Sequence, residues 1–352
     1  MKILVTGAHF TPAVATLEEL KKYPGVRVVY AGRKTTQEGD STSSIESQIL
    51  PSMGIKFIPI ITGRLQRTFT IYTIPSLLKI PVGFIQSFFV ILSQKPDVIL
   101  SFGGYVAVPL VMVGWLFSIP IIIHEQTLVS GLANKICGWF ADKIAVSFPN
   151  TERGEKVILT GNPIRRIVRT TRVRKDTKLP TILITGGNQG SHIINLAVEQ
   201  CIGKLTKIAQ IIHVTGDNKF RDYERLENIS NSNYSVRKWI NKDWGDVLSQ
   251  SDLVVSRAGI NTLTEVAILG KPTLTIPIQN KEQNKNAEYF EKLGLTKILT
   301  QSKLSGQTLL ENIKLMLNNL KSLNEKAGRV KKNIITDGAS RLALETILLV
   351  NN

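Results

Sequence analysis

The feature that most constrains this fold is an alternation of short apolar runs with longer amphipathic segments. Ile3-Leu4-Val5 predicts a strand that ends near Gly7, and residues 12–22 follow as a helix with a proline in its first turn. Strands joined by helices in this way form parallel sheets covered on both faces. Further strands are predicted at 26–30, 97–100, 119–123 and 143–146, and a second series at 181–185, 210–214, 252–255 and 273–276.

A change in composition separates the two series. After a turn at Gly161-Asn162-Pro163, the stretch RRIVRTTRVRKDTK is strongly basic and poor in core residues, which is typical of a domain junction. A chain of 352 residues accommodates two domains. We therefore expect an α/β fold of two Rossmann-like domains facing a cleft, over residues 1–162 and 163–352. The last predicted helix, near 338–349, could pack back on the first domain.

The charge balance favours anionic partners. Lys and Arg number 44 against 27 Asp and Glu, a net charge of +17, which suits nucleic acid, acidic phospholipid or a phosphorylated substrate. The charge is spread along the chain and no RNP-like aromatic motif occurs, so nucleic acid is not an expected partner. The two cysteines lie far apart in sequence, which predicts no disulfide and fits a reducing cytoplasm. The sequence contains no HExxH or DxD motif, so no metal or cofactor is expected. The first residues do not resemble a secretory signal.

Two apolar stretches approach the length of a membrane span. Residues 105–123 carry no charge, but Pro109 and Pro120 interrupt them and indicate a buried helix followed by a buried strand. Residues 71–92 allow two interpretations, either a core helix or an apolar face that lies on anionic lipid. The basic residues near this stretch are Arg64, Arg67 and Lys79.

Three loops follow strands of the first series. A glycine at a strand end lets the backbone approach a ligand, and consecutive polar residues after a buried strand are costly unless they form a site or a hydrogen-bond network. Each loop could instead be an ordinary turn, and His9 could simply cap a helix. The loops are Gly7-Ala8-His9, Gly103-Gly104-Tyr105 and His124-Glu125-Gln126-Thr127.

Three segments of the second series carry comparable signals. The glycine-rich turn at 186–191 opens a helix and could cradle phosphate, although it lacks the lysine of a P-loop. Glu265, placed on the first turn of a predicted helix, could accept two ribose hydroxyls or could stabilise the helix dipole. The amide-rich loop at 277–287 suits sugar hydroxyls or is a solvated loop.

Taken together, these loops resemble the MurG family of UDP-N-acetylglucosamine–N-acetylmuramyl-(pentapeptide) pyrophosphoryl-undecaprenol N-acetylglucosamine transferases. The elements TGAHFTPA, GGYVAVP, HEQT, GNPIR, GGNQGS, SRAG with TLTE, and QxxNA occur in the family's order over nearly the whole chain. The combination of HEQ, GNPIR and SRAG-to-Glu265 is the specific part. The resemblance implies the two-domain GT-B fold, with an acceptor- and membrane-binding N-terminal domain and a UDP-sugar-binding C-terminal domain.

The resemblance also implies roles for individual residues. On the donor side, Glu265 matches the carboxylate that binds the ribose hydroxyls, Gln283 and Asn286 match the loop that holds the sugar, and Ile240, after Trp239, matches the segment that reads uracil. Gly187, Asn188 and Gln189 match the phosphate loop, and Arg165 matches the interdomain arginine. His9 and His124 match histidines that face the acceptor and are the catalytic candidates. The acceptor-side residues are Gly7, Ala8, Gly103, Gly104, Tyr105, Glu125, Gln126 and Thr127.

The sequence departs from the family pattern at the substrate loops. The first loop usually reads GTGGH, but here it is VTGAH, so Ala8 stands where a glycine is usual. Thr127 replaces the asparagine of HEQN, and Glu282 replaces the histidine of NHQxxNA. Asn188 stands where a serine is common. Two of the four changes, at Ala8 and Thr127, lie in the acceptor-side loops.

The function that the resemblance implies is an inverting transfer of N-acetylglucosamine from UDP-N-acetylglucosamine. The acceptor would be the 4-hydroxyl of undecaprenyl-diphosphate-linked N-acetylmuramyl-pentapeptide, used in peptidoglycan synthesis, and the enzyme would lie peripherally on the anionic cytoplasmic face of the cell membrane. The alternatives are a related UDP-sugar transferase with another lipid acceptor such as diacylglycerol, and a UDP-sugar 2-epimerase. The epimerase needs acid–base carboxylates, of which no set is evident.

Overall fold

The structure is a computed structural model that describes residues 1–34, 44–63, 73–149, 151–166, 168, 179–187, 189–240 and 243–351. It divides into two compact units. The first consists of Met1–Arg165 together with Asp337–Asn352, and the second of Arg166–Thr336. The predicted boundary after residue 162 thus lies three residues earlier than the division seen here.

The first unit is built on a seven-stranded parallel sheet with strand order β3-β2-β1-β4-β5-β6-β7. The central strands β1, β4 and β5 are almost entirely buried, which explains their continuous apolar sequences. The strands are β1 Lys2–Thr6, β2 Arg27–Gly32, β3 Lys56–Pro59, β4 Val98–Ser101, β5 Ile121–Glu125, β6 Lys143–Val146 and β7 Val157–Leu159. The helices among them are α1 Phe10–Leu20, α2 Ile45–Ser52, α3 Thr73–Gln94, α4 Ala107–Leu116 and α5 Leu132–Phe140.

The second unit has a six-stranded parallel sheet with strand order β10-β9-β8-β11-β12-β13. Its strands are β8 Thr181–Thr185, β9 Gln210–Val214, β10 Tyr234–Arg237, β11 Leu253–Ser256, β12 Thr273–Thr275 and β13 Thr296–Ile298. Its helices are α6 His192–Leu205, α7 Asp222–Leu226, α8 Trp244–Gln250, α9 Ile260–Leu269, α10 Lys281–Lys292, α11 Gly306–Asn318 and α12 Leu320–Asn333. In both sheets the candidate loops follow the carboxyl ends of the strands.

The helix that follows the second unit belongs structurally to the first. This helix, α13 (Gly338–Asn351), packs against α1, β4 and β5, and Leu342 and Ala343 lie fully buried in the core of the first unit. At its first residue, a Cβ added to Gly338 would lie only 2.8 Å from the backbone of Gly161, so glycine permits this close approach. The second unit therefore ends at Thr336, and α13 packs on the first unit, as the sequence allowed.

Helix α3 has two apolar faces, one buried in the core of the first unit and one exposed. Val90 and Ile91 pack into the core of the first unit, whereas Leu78 and Phe89 are 71% and 63% exposed. Within the described residues, Ser76–Gln94 alone has the length and hydropathy of a membrane span, which core helices also reach. Residues 107–123 form α4, which is largely buried except at Trp115 and Leu116, followed by buried β5, as the prolines indicated.

Candidate functional site

The candidate loops of the first unit meet at the carboxyl ends of its three central strands. β1, β4 and β5 are neighbours in the sheet, and the amide of Ala8 donates a hydrogen bond of 2.9 Å to the carbonyl oxygen of Gly103. Glycine is required here. Gly7 has φ +140° and a Cβ there would lie 2.8 Å from the Cβ of Phe102, whereas a Cβ on Gly104 would lie 2.6 Å from the Ala8 methyl. The Ala8 methyl therefore sits beside Gly104, which leaves room for it.

His9 contacts the loop that follows β5. It is the N-cap residue of α1 but makes no capping bond through its side chain, and its Nδ1 lies 2.6 Å from Nε2 of Gln126. Burial lowers the pKa of the half-exposed His9 imidazole, the nearby Glu125 opposes this shift, and Arg33 adds to it. The buried Gln126 Oε1 makes no hydrogen bond within the described residues. The lowered pKa favours the neutral imidazole, and Gln126 contacts this ring at Nδ1.

His124 lies deeper in the same unit. Its side chain is 1% exposed, its ring packs 5.6 Å from the ring of Phe102, and its Nε2 lies 3.1 Å from the hydroxyl of Ser147. Burial lowers its pKa to about 3, and a hydrogen bond that the imidazole donates to the backbone of Gly161 opposes the shift. Two of the residues predicted to face the acceptor, His9 and His124, thus differ sharply in their access to a ligand.

Glu125 organises the loop that follows β5. One carboxylate oxygen accepts hydrogen bonds from the Thr127 amide at 3.0 Å and its hydroxyl at 2.9 Å. The other accepts from the Gly131 amide at 3.1 Å and from Nδ2 of Asn134 at 2.9 Å. Both oxygens are used inside the protein and the side chain is buried. The position of Glu125 therefore favours a structural role for its side chain, and the Thr127 hydroxyl is turned into the same loop.

Asn134 is a residue that sequence reasoning missed. It bonds to Glu125 and, through Nδ2, to the carbonyl oxygen of His124 at 3.2 Å. A Cβ on Gly103, which has φ +72°, would collide with its amide. Asn134 thus hydrogen-bonds to the end of β5 and packs closely against Gly103 in the loop after β4. Tyr105, the remaining acceptor-side candidate, is half-buried just before α4.

The glycine-rich loop of the second unit follows β8. Gly187 has φ +85° with open space around its α-carbon, and its amide donates to the hydroxyl of Thr185 at 3.1 Å. Gly190 packs so closely on the backbone of Thr215 that no side chain fits there. Gln189 is exposed, and Asn188 lies outside the described residues. The hydroxyl of buried Ser191, at the N-cap of α6, makes no hydrogen bond within the described part of the chain.

Glu265 lies in the second turn of α9, not the first, because that helix begins at Ile260 with Gly259 as its N-cap. The carboxylate is 3% exposed, and its Oε2 accepts a hydrogen bond of 2.8 Å from the indole Nε1 of Trp244. Trp244 is the first residue of α8 and is 8% exposed. Sequence reasoning missed this partner, which lies 21 residues away and carries no motif signal.

The amide loop after β12 connects to the loop after β11. The Oε1 of half-exposed Gln283 accepts from the amides of Ala258 at 3.2 Å and Ile278 at 3.0 Å. Asn286 is fully buried and donates to the carbonyl oxygen of Ala258 at 3.1 Å. Arg257 donates to the carbonyl oxygen of Ile276 at 3.1 Å, and burial lowers its pKa. Gln283 thus borders the surface, whereas Asn286 supports the loop from beneath.

Two donor candidates stand apart from these contacts. Ile240 is half-buried and follows β10, beside Trp239, which is largely exposed. Arg165 is half-buried and ends the Met1–Arg165 segment of the first unit. The other donor candidates belong to the second unit. No group of three or more potential metal ligands occurs among the described residues.

An apolar surface on the first unit extends beyond the predicted stretch. The exposed face of α3 continues onto the end of α4, where the rings of Phe88 and Phe117 lie 5.7 Å apart. It reaches α5, where the ring of Trp115 packs 5.3 Å from that of Phe140 and Trp139 is largely exposed. We call this surface the α3–α5 face. Its strongly exposed side chains are Ile74, Leu78, Ile85, Phe89, Trp115, Leu116, Leu132 and Trp139. Arg64 and Arg67, predicted near it, lie outside the described residues.

Comparison with known proteins places this arrangement in a family. Residues 5–146 match the glycosyltransferase family 28 N-terminal domain, and residues 181–342 match the glycosyltransferase family 28 C-terminal domain. A Clostridium botulinum protein named UDP-N-acetylglucosamine--N-acetylmuramyl-(pentapeptide) pyrophosphoryl-undecaprenol N-acetylglucosamine transferase is 35% identical over 90% of this chain and 91% of its own length. A Legionella pneumophila protein of the same name is 31% identical over 94% of this chain and 92% of its own.

Solved structures agree on the fold. The crystal structure of Acinetobacter baumannii MurG superposes with a TM-score of 0.75 at 23% identity and covers 99% of both chains. A Neisseria meningitidis UDP-GlcNAc 2-epimerase superposes with a TM-score of 0.66 at 16% identity, covering 99% of this chain and 100% of its own. Both likenesses concern the GT-B architecture of two parallel-sheet α/β domains, as predicted. From the sequence relatives and the domain matches together, the chain belongs to the MurG family of glycosyltransferase family 28.

Proposed function

We propose that this chain transfers N-acetylglucosamine from UDP-N-acetylglucosamine to the 4-hydroxyl of a lipid-linked N-acetylmuramyl-pentapeptide, with inversion at the anomeric carbon. The observation that carries the proposal is the match, over about nine-tenths of the chain, to relatives named for this reaction. The second unit binds the donor and the first binds the acceptor. The carboxyl edges of both parallel sheets are where such folds bind ligands.

The donor contacts proposed for the second unit follow its geometry. Glu265 accepts the ribose hydroxyls, the backbone at Ile240 reads uracil, and the loop around Gly187, whose α-carbon has open space, receives the diphosphate. Because Oε1 of Gln283 is used internally, its Nε2 is the group that donates to a sugar hydroxyl. Asn286 acts indirectly, since it is buried and holds the carbonyl of Ala258. Asn188, Gln189 and Arg165 complete the proposed diphosphate contacts.

The proposed chemistry is a single displacement. The acceptor oxygen attacks the anomeric carbon, the bond from that carbon to the diphosphate oxygen breaks, and UDP leaves with the electron pair. Loop amides and Arg165 stabilise the negative charge that develops on the diphosphate. The acceptor's hydroxyl proton passes to a base on the first unit.

His9 is the better of the two candidate bases. It is only partly buried and its lowered pKa favours the neutral form, whereas His124 is fully buried and packs against Phe102. For Nε2 to accept the proton, Gln126 must present its amide oxygen to Nδ1–H, which a half-turn of the amide provides. His124 then positions the loop that carries Gln126. Gly7, Ala8, Gly103, Gly104, Tyr105, Glu125 and Thr127 shape the acceptor side.

The α3–α5 face is the proposed contact with the cytoplasmic surface of the cell membrane. A polyprenyl acceptor stays in the bilayer, so the enzyme must reach it there. Exposed aliphatic and aromatic residues along one side of a helix are typical of helices that lie in the interface plane, and burying each large side chain contributes up to about 1.5–3 kcal/mol. Lys79, on α3, together with Arg64 and Arg67, would add attraction to anionic headgroups.

The reaction is tested with radiolabelled UDP-sugars and a panel of acceptors. Transfer of N-acetylglucosamine to the lipid-linked muramyl-pentapeptide, with a β1–4 linkage, is the expected result. Ala8 and Thr127, which depart from the family pattern, allow another lipid acceptor, so diacylglycerol is the second acceptor to include. Transfer to diacylglycerol alone, or epimerisation of the free UDP-sugar without transfer, would overturn the proposal. His9→Gln should lower kcat by about 100-fold or more with little change in donor affinity.

Membrane binding is tested by flotation with vesicles of neutral and of anionic lipid. Leu78→Glu with Phe89→Glu should reduce flotation on both, because both side chains are exposed on the α3–α5 face. Leu315→Glu, an exposed leucine on α11 of the second unit, is the matched control and should float like the unaltered chain. Lower salt should strengthen binding to anionic vesicles only. Flotation that is insensitive to the double substitution would show that this face does not contact lipid.

A further inference from the structure

Trp244 is a buried donor aimed at a buried carboxylate. Its indole N–H lies 2.8 Å from Oε2 of Glu265, and both side chains are less than a tenth exposed. The two residues come from different helices, α8 and α9, which pack against each other beside β11. An indole N–H can donate but not accept, so this bond has one direction and depends on Glu265 presenting an oxygen to it.

We propose that Trp244 is a positioning residue for nucleotide recognition, which orients the Glu265 carboxylate toward the ribose diol of the donor. This inference rests on the proposed function, in which Glu265 accepts the ribose hydroxyls. The carboxylate has two oxygens with about four lone-pair sites in all. The indole bond occupies one site on Oε2 and prevents rotation of the carboxylate group about its last torsion. The direction of the carboxylate is then fixed, which reduces the ordering cost when ribose hydroxyls bind to it.

The surroundings make this bond more than ordinary core packing. A hydrogen bond to an ionised group in a buried site is stronger than one between neutral groups, and losing its donor leaves a buried charge with less compensation. Trp244 also follows the segment at Trp239 and Ile240 that is proposed to read uracil, with only residues 241–243 between them. In this proposal the same short stretch of chain contacts the base through its backbone, and through its indole it contacts the Glu265 carboxylate, which binds the ribose.

A fully structural role for Trp244 makes a different prediction from a positioning role. If the indole only fills space, its removal affects every ligand of the donor site equally. If it orients Glu265, its removal affects ligands in proportion to the ribose hydroxyls that they offer. UDP and its 2′,3′-dideoxy analogue differ only in these hydroxyls, so the pair isolates the effect.

The test is calorimetric binding of both ligands to the full chain and to Trp244→Phe, which keeps an aromatic ring and removes the N–H. We expect the Kd for UDP to rise about tenfold, roughly 1.4 kcal/mol, and the Kd for dideoxy-UDP to change less than about twofold. The matched control is Trp115→Phe in the first unit, for which both Kd values should stay constant. An equal rise for both ligands, or no rise for UDP, would overturn the inference.

A second measurement uses the unaltered chain and so does not depend on the variant folding. The sequence contains four tryptophans, and the ¹⁵N-labelled indole signals can be assigned by single Trp→Phe changes at the other three positions. The Trp244 signal should shift on adding UDP and shift far less on adding dideoxy-UDP. Equal shifts would count against the inference. A chain that binds neither ligand would instead contradict the proposed donor site.

Discussion

Replacing Glu125 with glutamine tests how the acceptor-side loop is held. The carboxylate accepts from the Thr127 amide and hydroxyl on one oxygen, and from the Gly131 amide and Asn134 Nδ2 on the other. Glutamine replaces one oxygen with an NH₂ group. In one orientation this group faces the two donors of Thr127, and in the other it faces those of Gly131 and Asn134. The less costly orientation turns the NH₂ toward Thr127, whose hydroxyl can rotate and accept, but the Thr127 amide then loses its partner.

The expected magnitude follows from that count. A hydrogen bond to a charged group contributes about 1.5–3 kcal/mol, and a neutral one about half as much. Glu125→Gln loses the charged bond from the Thr127 amide completely. The other three bonds, with the Thr127 hydroxyl, Gly131 and Asn134, become neutral ones. We therefore expect the free energy of unfolding of the first unit to fall by at least about 3 kcal/mol.

The measurement combines urea unfolding with hydrogen exchange at the amides of Thr127 and Gly131. A local loss of about 3 kcal/mol should accelerate exchange by roughly 100-fold where these amides open with the loop. Glu155→Gln is the matched control, because Glu155 is exposed in the same unit, and its effect should stay within about 0.5 kcal/mol. Unchanged amide protection in Glu125→Gln, with a stability loss under about 1 kcal/mol, would refute the view that this carboxylate organises the loop.

Three further predictions concern the donor site, acid stability and the glycine turns. Glu265→Ala should weaken UDP-N-acetylglucosamine binding by about 1.5–3 kcal/mol in calorimetry, and unchanged affinity would remove this residue from the site. Burial lowers the pKa of His124 and of His213 to about 3, so below pH ~6.5 the unfolded chain binds protons that the native chain does not. Urea midpoints should therefore fall from about pH 7 to pH 5, and constant midpoints would contradict the burial. Gly103→Ala should cost about 1–3 kcal/mol more than Gly25→Ala, since both have positive φ but only the first meets a neighbouring side chain, and equal unfolding midpoints would refute this.

Much of the fold could be predicted because parallel strands are encoded locally. Fully buried strands such as β5 need continuous apolar sequences, and the predicted strands at 143–146, 181–185 and 210–214 have the bounds seen in the structure. Long-range packing has no such local signal. Helix α13 follows the second unit in sequence, which allowed it to pack on either unit, and the core that it buries assigns it to the first.

The candidate site divides in the same way. Glycine and polar residues at strand ends indicated which loops to examine, because such residues are costly there without a purpose. The sequence did not indicate which polar groups bond to one another. Gln126 meets His9 across 117 positions, and Trp244 meets Glu265 across 21. These pairs depend on the order of strands and helices in space. The burial of each side chain then distinguishes those that support a loop from those that lie at the surface.

The return of α13 to the first unit means that the second unit is an insertion within the first. During synthesis the second unit emerges completely, and can fold, while the first still lacks the helix that covers α1 and β4. The proposed acceptor half is thus begun first and finished last. A premature stop after residue 336, or a bulky fusion there, would leave the second unit intact. It would expose core residues of the first unit, which α13 normally covers.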